Sequence, residues 1–230
     1  MAITLELINH FTGIQIDRSP SPALDEPTQA RVDAAWQDLC VQNPRYFNGD
    51  MLVFDRYDPQ SGVVLAHVDQ YKRHAVRDVA NLGDSLLAVT AIVIADGFVL
   101  LGRRSHQTHR YGGLWELGPS GGVDVPEAGN SIDEWALLEQ AQREINEEAG
   151  FDTRGVRSRL IALVHDNQVG SSDLAMTLTL DQRPTIVTNW EYSEIKWVTH
   201  DELVDWCHEK PDELIPTTVA LARVLSRSRQ

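Results

Sequence analysis

The sequence predicts an α/β protein with a mixed-sheet main domain over residues 85–230, preceded by a small α+β cap over residues 1–84. Three observations carry this expectation. Short runs rich in Val and Ile alternate with longer segments of helical period, and the turn dipeptide Asp96-Gly97 joins two apolar runs as a hairpin would. The chain also changes character near Gly83, where mixed polar segments give way to the almost continuously apolar Leu86 to Ala95.

In the cap, Ile3 to Ile8, Met51 to Phe54 and Val63 to Val68 read as strands, the last following the turn-forming Pro59-Gln60-Ser61-Gly62. Pro27 to Val41 carries a moderate helical period. In the main domain, Leu86 to Ala95 and Phe98 to Leu101 form the hairpin, and Gly112 to Gly122 is glycine-rich. A long helix is expected over about Ser131 to Ala149. Strands near Leu160 to Val164, Leu174 to Leu180 and Ile195 to Val198 follow, and helices over His200 to His208 and Leu214 to Arg227 close the chain.

Composition narrows the function. The 230 residues are 42% apolar and 23% charged, enough to bury a substantial core. Thirty-four acidic against 20 basic residues give a net charge of −14, which argues against nucleic-acid polymers and anionic membranes as partners. No apolar run reaches membrane length and Glu6 interrupts the N-terminus, so a cytoplasmic location is the expectation. Cys40 and Cys207 are far apart and lack metal-type spacing. A small phosphorylated ligand remains compatible with the acidic balance if a divalent cation reverses the local field. The sequence carries no signal for oligomeric state.

The informative segment is Arg143-Glu144-Ile145-Asn146-Glu147-Glu148-Ala149-Gly150. On a helix, Glu144, Glu147 and Glu148 share an arc of about 100°, while Leu138, Ala141, Ile145 and Ala149 form a separate apolar stripe. Three carboxylates at i, i+3 and i+4 near a helix C-terminus repel one another and oppose the dipole, a cost relieved by a bound cation. Hard oxygen donors with full charge suit Mg²⁺, or Mn²⁺ in its place.

Upstream lies Gly112-Gly113-Leu114-Trp115-Glu116-Leu117-Gly118-Pro119-Ser120-Gly121-Gly122-Val123, itself preceded by Leu101-Gly102-Arg103-Arg104-Ser105. With the Arg-Glu-x-x-Glu-Glu-x-Gly run, and with Glu191-Tyr192-Ser193-Glu194-Ile195-Lys196-Trp197-Val198 and Asp201-Glu202-Leu203 downstream, the chain resembles the Nudix hydrolases over about residues 86 to 204. The resemblance implies a Nudix-like α/β/α sandwich on a mixed sheet and Mg²⁺-dependent cleavage of a nucleoside diphosphate linked to another moiety. It implies that Glu144, Glu147 and Glu148 hold the metal, that Arg143 orients Glu144, and that the Gly121 or Gly122 carbonyl completes the metal shell. Two departures stand out. Trp135 occupies the position where the family pattern has Glu, and Gly129 falls where its glycine is expected, unless Gly121-Gly122 is the true pair and the loop Asp124 to Asn130 is about seven residues longer.

Hydrolysis of a pyrophosphate asks for a carboxylate that accepts a proton from water. Glu148, Glu191, Glu194 and Asp173 are the candidates, and spacing does not choose among them. Arg103 and Arg104 leave the hairpin near the expected phosphate site, and only one of two adjacent strand residues can face it. In the cap, Arg45-Tyr46-Phe47-Asn48-Gly49 and Tyr71-Lys72-Arg73-His74 combine aromatic and basic groups, with Arg45, Tyr71 and Arg73 as candidate substrate contacts. Both stretches are faintly similar to the UDP-glucose- and UDP-galactose-cleaving branch, which implies a UDP-sugar cut to UMP and sugar 1-phosphate. ADP-ribose, dinucleotide or oxidised-nucleotide cleavage, isomerase chemistry resting on a cysteine, and non-catalytic nucleotide binding are the competing readings.

Overall fold

The computed structural model describes residues 3–227. Twelve strands join in one mixed sheet with the order β1-β10-β11-β5-β3-β4-β2-β9, and β12-β6-β7 and β8 attach around β5. The strands are β1 (Ile3–Leu7), β2 (Gly13–Asp17), β3 (Asp50–Asp58), β4 (Val63–Gln70), β5 (Ser85–Ala95), β6 (Phe98–Arg104), β7 (Trp115–Leu117), β8 (Ser120–Gly122), β9 (Ser131–Ile132), β10 (Arg157–Asp166), β11 (Ser171–Leu180) and β12 (Tyr192–Thr199). The helices are α1 (Glu26–Gln42), α2 (Tyr71–Ala75), α3 (Arg77–Ala80), α4 (Glu134–Ala149), α5 (His200–Glu209) and α6 (Pro216–Arg227).

The central strand β5 is buried on both faces, which explains its near-continuous apolar sequence. Its alternate residues feed two cores. Leu87, Val89, Ala91 and Val93 pack with Leu137, Leu138, Ala141 and Ile145 of α4, whereas Ile92 packs with Leu203 of α5 and Leu221, Ala222 and Leu225 of α6. Helices on opposite faces of a mixed sheet make the α/β/α sandwich expected from the resemblance.

The segment before residue 85 is built into this sheet. β1 runs antiparallel to β10, β3 pairs with β5 through Val53 to Leu86, and β2 pairs with β9 through Ile14 to Ile132. A third, small core holds α1 to α2 and α3 through Val32, Val76 and Ala80.

Most expected elements are present, with shifted ends. The long helix begins at Glu134, not near Ser131: Asp133 caps it by accepting from the Ala136 backbone N–H at 2.8 Å, and Ser131-Ile132 is a strand. It ends on Gly150 at φ +74°, the left-handed cap a glycine accommodates. Strand β2 is absent from the sequence reading, although Ile14 and Ile16 are buried and alternate with the exposed Gln15 and Asp17. Among the described residues, no helix is long and apolar enough to cross a membrane.

Candidate active site

Three elements and one loop end deliver carboxyl groups to one region: α4 brings Glu144, Glu147 and Glu148, β7 brings Glu116, β11 brings Asp173, and Glu191 directly precedes β12. Glu116 and Glu148 are buried at 2% and 5% exposure. The Glu148 and Glu191 carboxyls act on one another, and both are driven toward protonation chiefly by burial. The charges of Glu191, Glu116 and Glu144 add to this at Glu148, and the Arg104 guanidinium works against it. Glu144 is pushed up to about 7 by burial, then by the charge of exposed Glu147, while Arg143 opposes the shift. Asp173 is likewise pushed up to about 7 by burial, against a hydrogen bond from Ser171.

The cation in this cluster is Arg104. Its Nη1 donates to Glu116 Oε1 at 2.7 Å and its Nε to the Arg110 carbonyl at 3.1 Å. Tyr192 Oη donates to the same Glu116 oxygen at 2.8 Å. Arg104 therefore faces inward, as the alternation argument required of one of the pair, and Arg103 is exposed, donating to the Gly113 carbonyl at 3.0 Å.

Gly121 lies directly beneath Glu144, and a Cβ at this position would overlap the carboxyl group. Gly121-Gly122, paired to β5 at Val89 and Ala88, is thus the glycine pair beside the acidic helix, and Gly129 stands in open space. The longer loop between them does without the expected Glu. Trp135, 66% exposed, braces nothing there. Instead Arg18 donates to the carbonyls of Pro126 at 2.5 Å and Gly129 at 3.0 Å, and the Asp124 backbone N–H donates to Gln140 at 2.8 Å. Arg143 pairs with Asp124, so its guanidinium is directed to the loop and acts on Glu144 through charge alone.

Beside these groups opens a cleft of about 240 Å³. Its wall includes Tyr71, Arg104, Glu116, Gly121, Gly122 and Asp173. Other expected contacts fall outside it. Arg45 is exposed, stacked over Trp190 at 4.8 Å, and Arg73 is committed to Asp69 at 2.8 Å. Glu194 is exposed on β12, in register with Arg103. Neither Cys40 nor Cys207 lines the cleft.

Several groups are not among the site residues expected from sequence: Glu116, His74, Arg110, Tyr111 and Asp166 line the cleft, and buried Tyr192 supports Glu116 from behind. Glu116 carried a signal, a lone charge inside the apolar Leu114-Trp115-Glu116-Leu117. Tyr111 Oη donates to buried Asp166 at 2.5 Å, a pairing across 55 residues that no local pattern announces.

Among the described residues, no three His, Cys, Asp or Glu side chains form a closed metal cage. The donor chemistry nonetheless fits a hard divalent cation: clustered carboxyls whose mutual repulsion Arg104 and Arg143 only partly offset, beside a backbone glycine packed against one of them.

Residues 85–218, more than half of the chain, match the model of the NUDIX domain. No curated protein sequence matches the chain. Among solved structures, Tm1382, described as a candidate Nudix hydrolase, is similar with a TM-score of 0.51 and 14% identity, over 82% of this chain and 93% of that one. The MutT protein from Methanosarcina mazei Go1 aligns over 64% of this chain and 96% of its own, with 20% identity and a TM-score of 0.45. A C. elegans Ap4A hydrolase aligns over 61% and 96%, with 17% identity and a TM-score of 0.42.

Proposed function

Because this chain belongs to the Nudix family, we propose that it is a Mg²⁺-dependent hydrolase that cleaves the pyrophosphate of a nucleoside diphosphate linked to a sugar, a UDP-sugar giving UMP and sugar 1-phosphate. One observation supports this most directly: the carboxyls of buried Glu116 and Glu148 and of Glu191 gather around Arg104, with Glu144 next to Glu148, and Arg104 and Glu116 form part of a cleft wall that also contains Tyr71. Such a cluster costs folding free energy and is explained by a cationic ligand bridging it to an anionic substrate.

Glu144, Glu147 and Glu148, with the Gly121 or Gly122 carbonyl, would hold the cation. When bound it neutralises phosphate oxygens and acidifies water. Arg104, fixed by Glu116 through Nη1 and by Arg110 through Nε, keeps Nη2 for a phosphate oxygen of the substrate. Tyr192 holds Glu116 in place from the other side, so the guanidinium does not swing. Glu191, in contact with Glu148 but contributed by a different element, accepts the proton from the attacking water, and Asp173 is the alternative acceptor in the cleft wall.

The test is a substrate panel with saturating Mg²⁺: UDP-glucose, UDP-galactose, ADP-ribose, a dinucleoside polyphosphate and an oxidised nucleoside triphosphate, with products resolved by anion exchange. UMP released fastest from a UDP-sugar supports the reading. Faster cleavage of another member moves the substrate and keeps the reaction. No cleavage of any member overturns the hydrolase.

A further inference from the structure

His74 is buried at 4% exposure and belongs to the cleft wall. Its Nε2 is bound to Asp69 Oδ2 at 3.0 Å, and its Nδ1 is buried without any hydrogen-bond partner. Buried polar nitrogens are rarely left alone, and one on a side chain of a cleft wall calls for an explanation. The chemistry of that nitrogen follows from Asp69. Its Oδ1 accepts from the Gln70 backbone N–H and from Arg73 Nη1, each at 2.8 Å, and these donors together with His74 hold its carboxyl below the usual range although burial opposes them. An ionised carboxylate only accepts, so Nε2 carries the proton, and in the neutral ring Nδ1 is a lone-pair acceptor.

A second imidazole in the same wall is oriented alike. His109 Nε2 meets the Ala75 carbonyl at 2.9 Å; a carbonyl also only accepts, so this Nε2 carries the proton and its Nδ1 is an acceptor as well. Burial shifts His109 downward, away from the cationic form.

We infer that His74, positioned by Asp69, and His109 form a subsite that accepts hydrogen bonds from hydroxyl groups of the substrate, which makes the glycosyl half of a nucleotide sugar the moiety read there. This rests on the proposed pyrophosphatase reading, and it goes beyond it by naming the residues that select the leaving half. Acceptor nitrogens suit neutral hydroxyl donors and offer nothing to a phosphate oxygen, so the subsite is chemically distinct from the Arg104 end of the cleft.

The experiment is calorimetric binding of UDP-glucose and of UDP to the full chain and to its His74→Phe and His74→Asn variants, with ¹⁵N-histidine spectra of the wild type. The expected result is an unprotonated Nδ1 at His74 whose resonance moves on addition of UDP-glucose. His74→Phe should weaken UDP-glucose about tenfold while leaving UDP unchanged, and His74→Asn, which keeps an acceptor near Nδ1, should restore part of the loss. Equal weakening of UDP and UDP-glucose by His74→Phe would assign the donor to the uridine and overturn the glycosyl reading. A protonated Nδ1, or unchanged binding in both variants, would overturn the subsite while hydrolysis by the wild type still upheld the enzyme.

Discussion

Arg104 and Glu116 form an ion pair at 2.7 Å in which Glu116 is almost wholly buried and shares its accepting oxygen with Tyr192. The pair joins the hairpin to the glycine-rich segment, so it sets the position of one cleft wall relative to the other. Removing the cation strands a buried carboxylate. Arg104→Met is expected to lower stability by about 3 kcal/mol, read by urea unfolding, and to raise KM for any cleaved diphosphate more than it lowers kcat. A variant as stable as the wild type would overturn this role for the pair.

Glu148 illustrates the opposite sign. Its folded-state affinity for protons is raised by burial first and by Glu191 next, so the ionised form opposes folding at every pH above the ordinary Glu range. Glu148→Gln should therefore raise the metal-free Tm at neutral pH by a few degrees and lower kcat by orders of magnitude. Calorimetric scans with and without Mg²⁺ check both halves, and a Tm gain that disappears near pH 4 confirms the electrostatic origin.

At Gly121 the constraint is steric. A methyl group there would collide with the Glu144 carboxyl, and since Gly121 is paired to β5 the side chain is the partner that must move. Gly121→Ala should cost about tenfold or more in kcat/KM with a change in unfolding free energy of only about 1 kcal/mol. Full activity would mean that Glu144 works from another rotamer.

Asp69 gives a pH-dependent contribution to stability. Its carboxyl is held below the usual value by His74, the Gln70 amide and Arg73, against burial. A depressed carboxylate stabilises the fold above its unfolded pKa and loses that contribution as pH falls through the folded one. Asp69→Asn should thus be less stable than the wild type by about 1–3 kcal/mol at pH 7, with the gap closing below about pH 4. Chemical unfolding at pH 7, 5 and 3 measures it.

The acidic helix was readable because its carboxylates and its apolar stripe obey a local period, and β5 because a strand covered on both faces has no polar side to alternate. Both properties are fixed within a dozen residues. The helix starts later than its sequence period suggests because Ser131-Ile132 forms its bonds with β2, a partner more than a hundred residues earlier. Trp135 looked like a defect in the motif for the same reason. The brace that replaces the missing Glu is Arg18, whose relation to the loop exists only after folding. Arg73 and Tyr71 are two residues apart in one short helix, yet one turns to Asp69 and the other to the cleft.

Arg18 reaches the carbonyls of Pro126 and Gly129 from a stretch of chain that contains none of the acidic motif. Drift at that position would be felt in turnover even though it touches no reacting atom, and a loop exchanged from a relative with the usual Glu would leave this arginine without its acceptors. Recombination across the chain is therefore expected to succeed only when the opening residues and the insertion travel together.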